Sequence, residues 1–418
     1  MSSPVWHPFT QHALRHDFPG IVRTAGAYLH TRDGRRILDA ICSWWVITHG
    51  HRHPAIVDAV KRQLDSLDQV IFAEFTHEPA EALAHRLLEV LPQGLSHVFY
   101  SDSGSTAVEV ALKMALGYWR HRGETRSRLV VLEHGYHGDT VGAMSVGERG
   151  LFTRPYEPLL FQVERIPFPA SGREAVTLDA LEHLCRRQDT AALLVEPLVL
   201  GAGGMLMYPA ATLRRMREIC TRFGILFLAD EVMTGWGRTG TRFACEQAHI
   251  TPDILCSSKG LTGGLLPLAV TACIPSIFEA HFSTDRERTF WHSSSFTANP
   301  VACAAGLANL EVWSREPVSE RIGALTQWQT QELARLHDLP GVRDPRQCGT
   351  ITAFDVAAPD AGYLATVGPR LHEFFRDRSV LLRPLGNTVY VMPPYCITRN
   401  ELHGLYDIIR EALDTLVR

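Results

Sequence analysis

Short apolar runs alternate with amphipathic stretches through the middle of this chain. The runs predict β-strands at 97–100, 128–132, 191–195, 225–229, 253–256 and 268–274. Apolar residues recurring at helical spacing predict helices at 105–120, 210–223 and 299–313. Strands that alternate with helices form a largely parallel sheet with helices on both faces, so the pattern predicts an α/β fold.

Chain length indicates more than one folded unit. With 418 residues, of which 45% are hydrophobic, the chain can bury a large core and is long enough for two domains. We see neither internal repeats nor long linkers. We place a large domain at residues 60–310, and we expect residues 1–59 and 311–418 to pack together as a smaller α+β domain.

Charge and cysteine usage narrow the surroundings of the protein. The net charge of −4 gives no sign of a nucleic-acid partner or an anionic membrane. The nine cysteines include no Cys-x-x-Cys pair, and several stand inside apolar runs, as reduced buried thiols do. No apolar run suits export or a membrane span. We therefore expect a cytoplasmic protein that binds neither nucleic acid nor membrane.

Two strand ends carry the most informative side chains. Asp230 follows the apolar run 225–229, and Lys259 follows the next strand, 253–256, among small residues. Pyridoxal phosphate needs such a pair, because a Lys forms the Schiff base and an Asp keeps the pyridine nitrogen protonated, which makes the ring an electron sink. The alternative is a solvated Lys at an ordinary strand end.

A third strand end predicts an anion site. Gly104, Ser105 and Thr106 follow strand 97–100 and begin a helix, where free N–H groups and the helix dipole can hold a phosphate. A plain Ser cap is the alternative. The Gly-x-Gly-x-x-Gly spacing of dinucleotide-binding proteins is absent, which disfavours a nicotinamide-dependent oxidoreductase.

A histidine-rich run raises the question of a metal. His49, His51 and His53 alternate in a loop that contains Gly50. The run has no nearby carboxylate or Cys ligand and no helical ligand spacing, so we expect no metal there.

The order of motifs resembles subgroup III of the fold type I aminotransferases. After the phosphate turn come Gly-Tyr-His-Gly-Asp at 135–139, Glu-Pro at 196–197, Ala-Asp-Glu-Val at 229–232, Gly-Arg-Thr-Gly at 237–240 and Ser-Lys-Gly-Leu-Thr-Gly-Gly at 258–264. The resemblance implies a pyridoxal 5′-phosphate enzyme whose large domain has a mostly parallel, seven-stranded sheet. It also implies a homodimer with active sites at the subunit interface.

The same resemblance implies roles for individual residues. Lys259 would hold the cofactor and move a proton between the substrate Cα and the cofactor C4′. Asp230 would bind the pyridinium nitrogen, and Tyr136 would stack near the ring and face the substrate, although a Tyr in such a loop is often only a loop residue. Gly104 and Ser105 would hold the phosphate.

Further positions follow from the resemblance. Ser295 stands where the family usually has a Thr that reaches the phosphate of the neighbouring subunit, and the adjacent Ser294 would contact substrate. Arg238 and Asp139 also fall on family positions near the site, with no assigned role.

Three segments resemble the members of this family that act in biotin biosynthesis. These are Trp-His-Pro-Phe-Thr at 6–10, Cys-Ser-Trp-Trp-Val at 42–46, and Arg-Pro-Leu-Gly at 383–386 with Met-Pro-Pro-Tyr at 392–395. Such members transfer an amino group from S-adenosylmethionine to 8-amino-7-oxononanoate and form 7,8-diaminononanoate. Trp44 and Trp45 would wall the substrate pocket, Arg383 would pair with substrate carboxylate, and Phe9 would lie beside the amino donor.

Several alternatives stay open at this point. Lysine could replace S-adenosylmethionine as donor, or the enzyme could act on ornithine, 4-aminobutyrate or another ω-amine. A non-catalytic binding protein would have no reason to keep Lys259, Asp230 and Tyr136 together. Two departures from the family pattern bear on substrate recognition. Phe9 stands where some members have Tyr, and Leu200 stands where we expect Gln.

Overall fold

A computed structural model describes residues 4–14 and 17–417. The strands of these ranges are β1 (Ile21–Ala25), β2 (Tyr28–Thr31), β3 (Arg36–Asp39), β4 (His97–Ser101), β5 (Arg128–Leu132), β6 (Glu164–Ile166), β7 (Thr190–Val195), β8 (Val199–Leu200), β9 (Leu206–Met207), β10 (Leu226–Asp230), β11 (Ile254–Ser257), β12 (Ala269–Cys273), β13 (Val342–Cys348), β14 (Ile351–Val356), β15 (Val380–Leu381) and β16 (Thr388–Val391).

Helices connect most of these strands. They are α1 (Cys42–Trp45), α2 (Pro54–Leu64), α3 (Glu78–Leu88), α4 (Gly104–His121), α5 (Val141–Val146), α6 (Glu174–Cys185), α7 (Ala210–Phe223), α8 (Ala244–Ala248), α9 (Pro275–His281), α10 (Pro300–Arg315), α11 (Val318–Ala334), α12 (Val367–Asp377) and α13 (Arg399–Leu416). Short 3₁₀ helices span Arg154–Leu159, Lys259–Thr262 and Arg286–Arg288. No helix of the described ranges is both long and apolar enough to cross a membrane.

The central sheet confirms the predicted α/β fold. Within the described residues it has seven strands in the order β4-β12-β11-β10-β7-β5-β6. The pairs from β11 to β6 are parallel, whereas β12 runs antiparallel to both β11 and β4. The six predicted strands are all present with small shifts at their ends. Strand β6 was not predicted, because its three residues include a Glu and an Arg and form no apolar run.

Both faces of this sheet are buried. Side chains alternate between faces along a strand, and Leu193 and Phe227 belong to one apolar cluster while Leu194 and Leu228 belong to the other. Strands covered on both sides read as continuous apolar runs, which explains why these strands were visible in the sequence.

Local signals set the ends of the predicted helices. Helix α7 spans the predicted residues, and Gly224 ends it in the left-handed conformation at φ 62°. Helix α10 begins at Pro300, one residue later than predicted, because the Asn299 side chain accepts a hydrogen bond from the Ala302 N–H and caps the helix.

Three smaller sheets lie outside the central one in the described part of the chain. Their strand orders are β1-β2-β3-β15, β13-β14-β16 and β8-β9. In the first, β15 pairs in parallel with β3, with Leu381 opposite Asp39. Because α1 follows β3 and Arg383 follows β15, this pairing brings two segments more than 300 residues apart to one place.

Candidate active site

A cavity of about 520 Å³ opens at the carboxyl ends of the parallel strands. Ligand sites of open α/β sheets form at this edge. In register, Asp230 at the end of β10 stands opposite Cys256 of β11, three residues before Lys259. Of the residues predicted from the sequence, the cavity is lined by Phe9, Trp44, Trp45, Gly104, Ser105, Tyr136, Asp139, Asp230, Lys259 and Arg383.

Lys259 has the environment of a nucleophilic amine. Its Nζ lies 4.6 Å from the centroid of the Trp45 ring. Burial lowers the pKa of Lys259 to about 8, although the charges of Asp230 and Glu196 act in the opposite direction. A lysine with a lowered pKa offers a neutral amine near physiological pH, which is the reactive form toward a carbonyl.

Asp230 is a buried, fixed carboxylate. One oxygen, Oδ2, lies 2.8 Å from His137 Nδ1, and the other, Oδ1, accepts the Val232 N–H at 3.1 Å. His137 is itself buried. His137 follows Tyr136 directly in the sequence and was not among the predicted site residues.

Glu196 is a second buried carboxylate that was not predicted as a site residue. It follows β7, lines the cavity and joins two loops, because Oε1 accepts the Tyr136 N–H and Oε2 accepts the Gly201 N–H, each at 2.9 Å. Burial raises the pKa of Glu196 to about 7, against the opposing effect of His137. Glu196 could have been predicted as a site residue from its position directly after a predicted parallel strand, because such strand ends line the ligand sites of α/β folds.

The start of α4 forms the anion end of the cavity. Ser103 Oγ accepts the Thr106 N–H at 3.2 Å and caps the helix, so the N–H groups of Gly104 and Ser105 are the ones at this helix start that an anion can bind. Ser105 Oγ accepts the Asp139 N–H at 3.3 Å. A Cβ on Gly138 would lie 2.1 Å from Ser105 Oγ, so only glycine lets the two loops approach this closely.

Arg383 and the N-terminal arm meet at the cavity entrance. The Arg383 guanidinium lies 5.7 Å from the Trp44 ring centroid, and its Nη2 donates to the Phe9 carbonyl at 2.9 Å. No carboxylate of the described residues forms an ion pair with Arg383 within 4.0 Å. An Arg placed at a cavity without a protein anion is suited to an anionic ligand.

Several lining residues have unusual backbone conformations. Phe9, Ser43, Trp45 and Lys259 have φ values of 49°, 58°, 65° and 46°, in the left-handed region that non-glycine residues seldom adopt. Such conformations concentrate at functional sites, where the surrounding structure holds them.

Five expected residues do not line this cavity. Thr106 does not, because its N–H and its hydroxyl are both hydrogen bonded to Ser103 in the cap of α4. Ser294 donates its hydroxyl to Asp102, and the Ser295 carbonyl accepts from Gln69 Nε2 at 3.1 Å. They belong to the surface segment before α10, which explains why neither lines the cavity of its own chain.

Arg238 and Leu200 lie behind the cavity wall. The Arg238 guanidinium is buried and donates to the Ile47 carbonyl at 2.9 Å and to the Pro393 carbonyl at 3.4 Å, which is a structural arrangement. Leu200 is fully buried in β8 opposite Leu206. Leu200 therefore does not line the cavity, and its effect on substrate recognition stays a prediction.

The three alternating histidines have three different partners. His49 Nε2 lies 2.8 Å from Asn309 Oδ1, His51 Nε2 lies 2.8 Å from Asp39 Oδ2, and His53 Nε2 lies 3.0 Å from Glu316 Oε1. Their rings therefore connect separate elements of the fold.

Pyridoxal phosphate fits the residues that line the cavity. Lys259 can reach an aldehyde carbon, Asp230 can pair with a protonated pyridine nitrogen, and the start of α4 can bind the phosphate. Gly104 supports the same fit, because a Cβ there would lie 2.6 Å from Val232 Cγ1 and close the approach to the helix start.

Comparisons with known proteins agree with this chemistry. The family model Aminotransferase class-III matches residues 11–413. The adenosylmethionine-8-amino-7-oxononanoate aminotransferase of Synechococcus elongatus is 46% identical over 420 residues, which cover 99% of both chains.

Solved structures give the same result. The structure of an adenosylmethionine-8-amino-7-oxononanoate aminotransferase from Methanocaldococcus jannaschii has a TM-score of 0.94 and 33% identity over 99% of this chain and 97% of that one. A PLP-bound amine transaminase from an uncultivated Pseudomonas species has a TM-score of 0.91 and 32% identity over 100% and 99%. This chain therefore belongs to the class-III aminotransferases, which depend on pyridoxal phosphate.

Proposed function

We propose that this aminotransferase transfers an amino group from S-adenosylmethionine to 8-amino-7-oxononanoate and forms 7,8-diaminononanoate in biotin biosynthesis. The observation that carries the proposal is the placement of Arg383 at the aromatic entrance of the cavity that holds Lys259, where it forms no ion pair with a carboxylate of the described residues. A linear acceptor with a terminal carboxylate matches this arrangement. The names of the relatives described above support the same substrates.

The residues of the chain divide the catalytic work. Bound pyridoxal phosphate supplies an electrophilic carbon and an electron sink. Lys259 Nζ would hold the cofactor and, once it is a free amine, would accept the proton that the substrate Cα loses. Asp230 keeps the ring nitrogen protonated, and the His137 ring fixes the orientation of that carboxylate. Tyr136 lines the same cavity, where it would stack near the ring and help to exclude water.

The two substrates use the same cavity in turn. The amino donor leaves its nitrogen on the enzyme and departs as a keto product before the acceptor binds, which is a ping-pong order. Trp44 and Trp45 provide apolar walls for the long acceptor chain. Arg383 can grip the far carboxylate with two parallel hydrogen bonds.

We further propose a homodimer in which Ser295 serves the phosphate of the partner subunit. Ser295 lies outside the cavity of its own chain. Gln69 Nε2 donates to the Ser295 carbonyl, and this hydrogen bond connects two segments that carry large, exposed apolar side chains. Those side chains are Ile71, Phe75, Trp291 and Phe296, all at least 60% exposed. An apolar face of this kind is typical of a protein interface. By the same reasoning Ser294 would meet substrate in the partner's cavity.

A subunit-mixing experiment tests this arrangement. The Ser295→Ala and Lys259→Ala variants are purified, mixed and allowed to exchange subunits. In the mixed dimer, the site with a natural Lys259 receives its Ser295 from the other subunit, so cofactor affinity at that site should return to the natural value. If Ser295 acts in its own chain, the mixture will keep the weakened cofactor affinity of Ser295→Ala.

Domain division and location complete the proposal. We propose a large domain at 60–310 and a smaller one from 1–59 and 311–418, supported by the central sheet, which uses residues 97–273, and by the pairing of β15 with β3. The lack of a membrane-spanning helix in the described residues is compatible with a cytoplasmic enzyme.

The function is tested by a donor screen. The purified enzyme is incubated with 8-amino-7-oxononanoate and either S-adenosylmethionine or lysine, and 7,8-diaminononanoate is measured. We expect product with S-adenosylmethionine. Product formed with lysine and not with S-adenosylmethionine would show that lysine is the donor. Ornithine, 4-aminobutyrate and other ω-amines are assayed in parallel. If neither donor yields 7,8-diaminononanoate, activity with one of these amines would define the specificity instead.

A further inference from the structure

Four aromatic rings form a continuous row at the cavity entrance. The centroids of Trp44 and Phe9 lie 5.6 Å apart, those of Phe9 and Phe152 lie 6.0 Å apart, and those of Phe152 and Tyr363 lie 4.5 Å apart. All four residues line the cavity that holds Lys259. They come from four separate segments of the chain, and we call them the aromatic row.

The aromatic row does not belong to the apolar core. Trp44, Phe9 and Phe152 are 48%, 46% and 39% exposed. Trp45 is a contrast, because it is only 5% exposed and its Nε1 donates to the Tyr390 hydroxyl at 2.9 Å. Half-exposed rings at a cavity entrance offer apolar surface that a bound planar group would cover.

The two ends of the row differ in charge. Among the described residues of the cavity, the cations that lie over aromatic rings are Lys259 over Trp45 and Arg383 over Trp44. The rings of Phe152 and Tyr363 meet each other edge to face at 77°, and no cation of the described residues lies over either ring. Both rings line the cavity and neither is buried, so they offer aromatic surface to a planar or cationic part of a ligand.

We propose that Phe152 and Tyr363 are specificity-determining residues that bind the planar base of a nucleoside-bearing amino donor. The inference rests on the proposed function, which requires the reacting amino group of that donor at Lys259. The remainder of so large a donor must then extend toward the entrance, where the adenine base and the sulfonium cation find aromatic surfaces. The linear acceptor has no ring and ends at Arg383 instead.

Single-turnover kinetics test the assignment. The holoenzyme is mixed with S-adenosylmethionine, and the change in cofactor absorbance is followed in Phe152→Ala and Tyr363→Ala. We expect the donor concentration for half-maximal rate to rise about tenfold, because removing an aromatic partner of a base costs a factor of this order. With 7,8-diaminononanoate, the product of the acceptor half-reaction, the concentration for half-maximal rate should change less than about threefold in the same variants, because this linear ligand has no ring to stack on Phe152 or Tyr363.

Two variants serve as controls. Phe161→Ala removes a ring of the same region that is 43% exposed and does not line the cavity, so both half-reactions should keep their natural rates. Tyr363→Phe keeps the ring and removes the hydroxyl, so it should behave like the natural enzyme if the ring provides the binding. Equal losses toward donor and diaminononanoate in Phe152→Ala and Tyr363→Ala would overturn the assignment.

A binding measurement separates this inference from the proposed function. 5′-Methylthioadenosine carries the nucleoside but no amino acid, and its binding to the holoenzyme can be measured by calorimetry without any turnover. We expect about tenfold weaker binding in Phe152→Ala. Unchanged binding would overturn the role of the aromatic row. A third outcome separates the two claims. If the natural enzyme does not react with S-adenosylmethionine but Phe152→Ala still binds 5′-methylthioadenosine more weakly than the natural enzyme does, the proposed donor is wrong and the nucleoside subsite stands.

Discussion

The floor and the rim of the cavity are built in different ways. The floor consists of His137, Glu196, Asp230 and Lys259, which lie at or near the carboxyl ends of the central strands and are mostly buried and hydrogen bonded. The rim consists of the aromatic row and Arg383, which are partly exposed and come from the short helix α1 and from loops at both ends and in the middle of the chain. This difference indicates that the sheet determines the reaction, whereas the surrounding segments determine the substrate.

The largest effect is expected from the floor, with Lys259→Ala. Loss of the one lysine amine among the described residues that line the cavity should abolish turnover. The fold should persist, because removing a buried amine also removes the cost of its desolvation. Reduction of the natural holoenzyme with borohydride followed by peptide mapping checks the attachment. The chain has three lysines, and Lys61 and Lys113 are exposed on helices, so cofactor on either of those peptides would refute the assignment.

The next effect concerns the rim, with Arg383→Lys. A lysine cannot reproduce the two parallel hydrogen bonds of a guanidinium, so the KM for 8-amino-7-oxononanoate should rise about 10- to 100-fold. The free energy of unfolding should change by less than about 0.5 kcal/mol, because the residue lies at the surface of the cavity. Arg399→Lys is the matched control, since Arg399 also makes a single hydrogen bond, to Gln331, far from the cavity. Comparable losses of stability and binding in Arg383→Lys would favour a purely structural Arg.

A smaller effect is expected for Glu196→Gln. Gln has one acceptor oxygen and cannot accept both the Tyr136 and Gly201 N–H groups, so kcat/KM should fall roughly tenfold.

The same variant has a pH signature. Burial raises the pKa of Glu196 to about 7 from 4.5, so the folded protein binds this proton more tightly than the unfolded chain between those values. The glutamate's contribution to stability is therefore lost as pH rises through about 7. The Tm difference between variant and natural protein should move in favour of the variant between about pH 5 and 8. A difference that is constant over this range would contradict the raised pKa.

The smallest effect is expected from Phe9→Tyr in the rim. The added hydroxyl can supply one hydrogen bond while the ring stays in the aromatic row. The KM for S-adenosylmethionine should therefore fall roughly two- to tenfold without a change of donor. A change in the acceptor KM of the same size would show that Phe9 does not discriminate between the substrates.

Two of the four floor residues, Asp230 and Lys259, followed from the local sequence pattern, whereas the predicted rim residues Phe9, Trp44 and Arg383 followed only from the resemblance to a family. Asp230 and Lys259 stand directly after apolar strands, and buried parallel strands leave a continuous apolar pattern. Phe152 and Tyr363 lie in loops without periodicity, and only tertiary packing brings them together. Their place in the cavity therefore had no local signal.

Two further positions depend on tertiary structure. Leu200 stands where the resemblance led us to expect Gln, and the pairing of β8 with β9 buries it outside the cavity lining. Glu196 was visible in a motif, yet its hydrogen bonds depend on two loops whose approach the sequence does not encode locally.

The division between floor and rim is tested most directly by one comparison of single-turnover kinetics with S-adenosylmethionine. Asp230→Asn should lower the maximal rate at saturating donor about 100-fold or more, because the electrostatic support of the ring nitrogen is lost. Phe152→Ala should keep the maximal rate and raise the donor concentration needed for half of it. A Phe152→Ala variant whose maximal rate falls as far as that of Asp230→Asn would contradict the account.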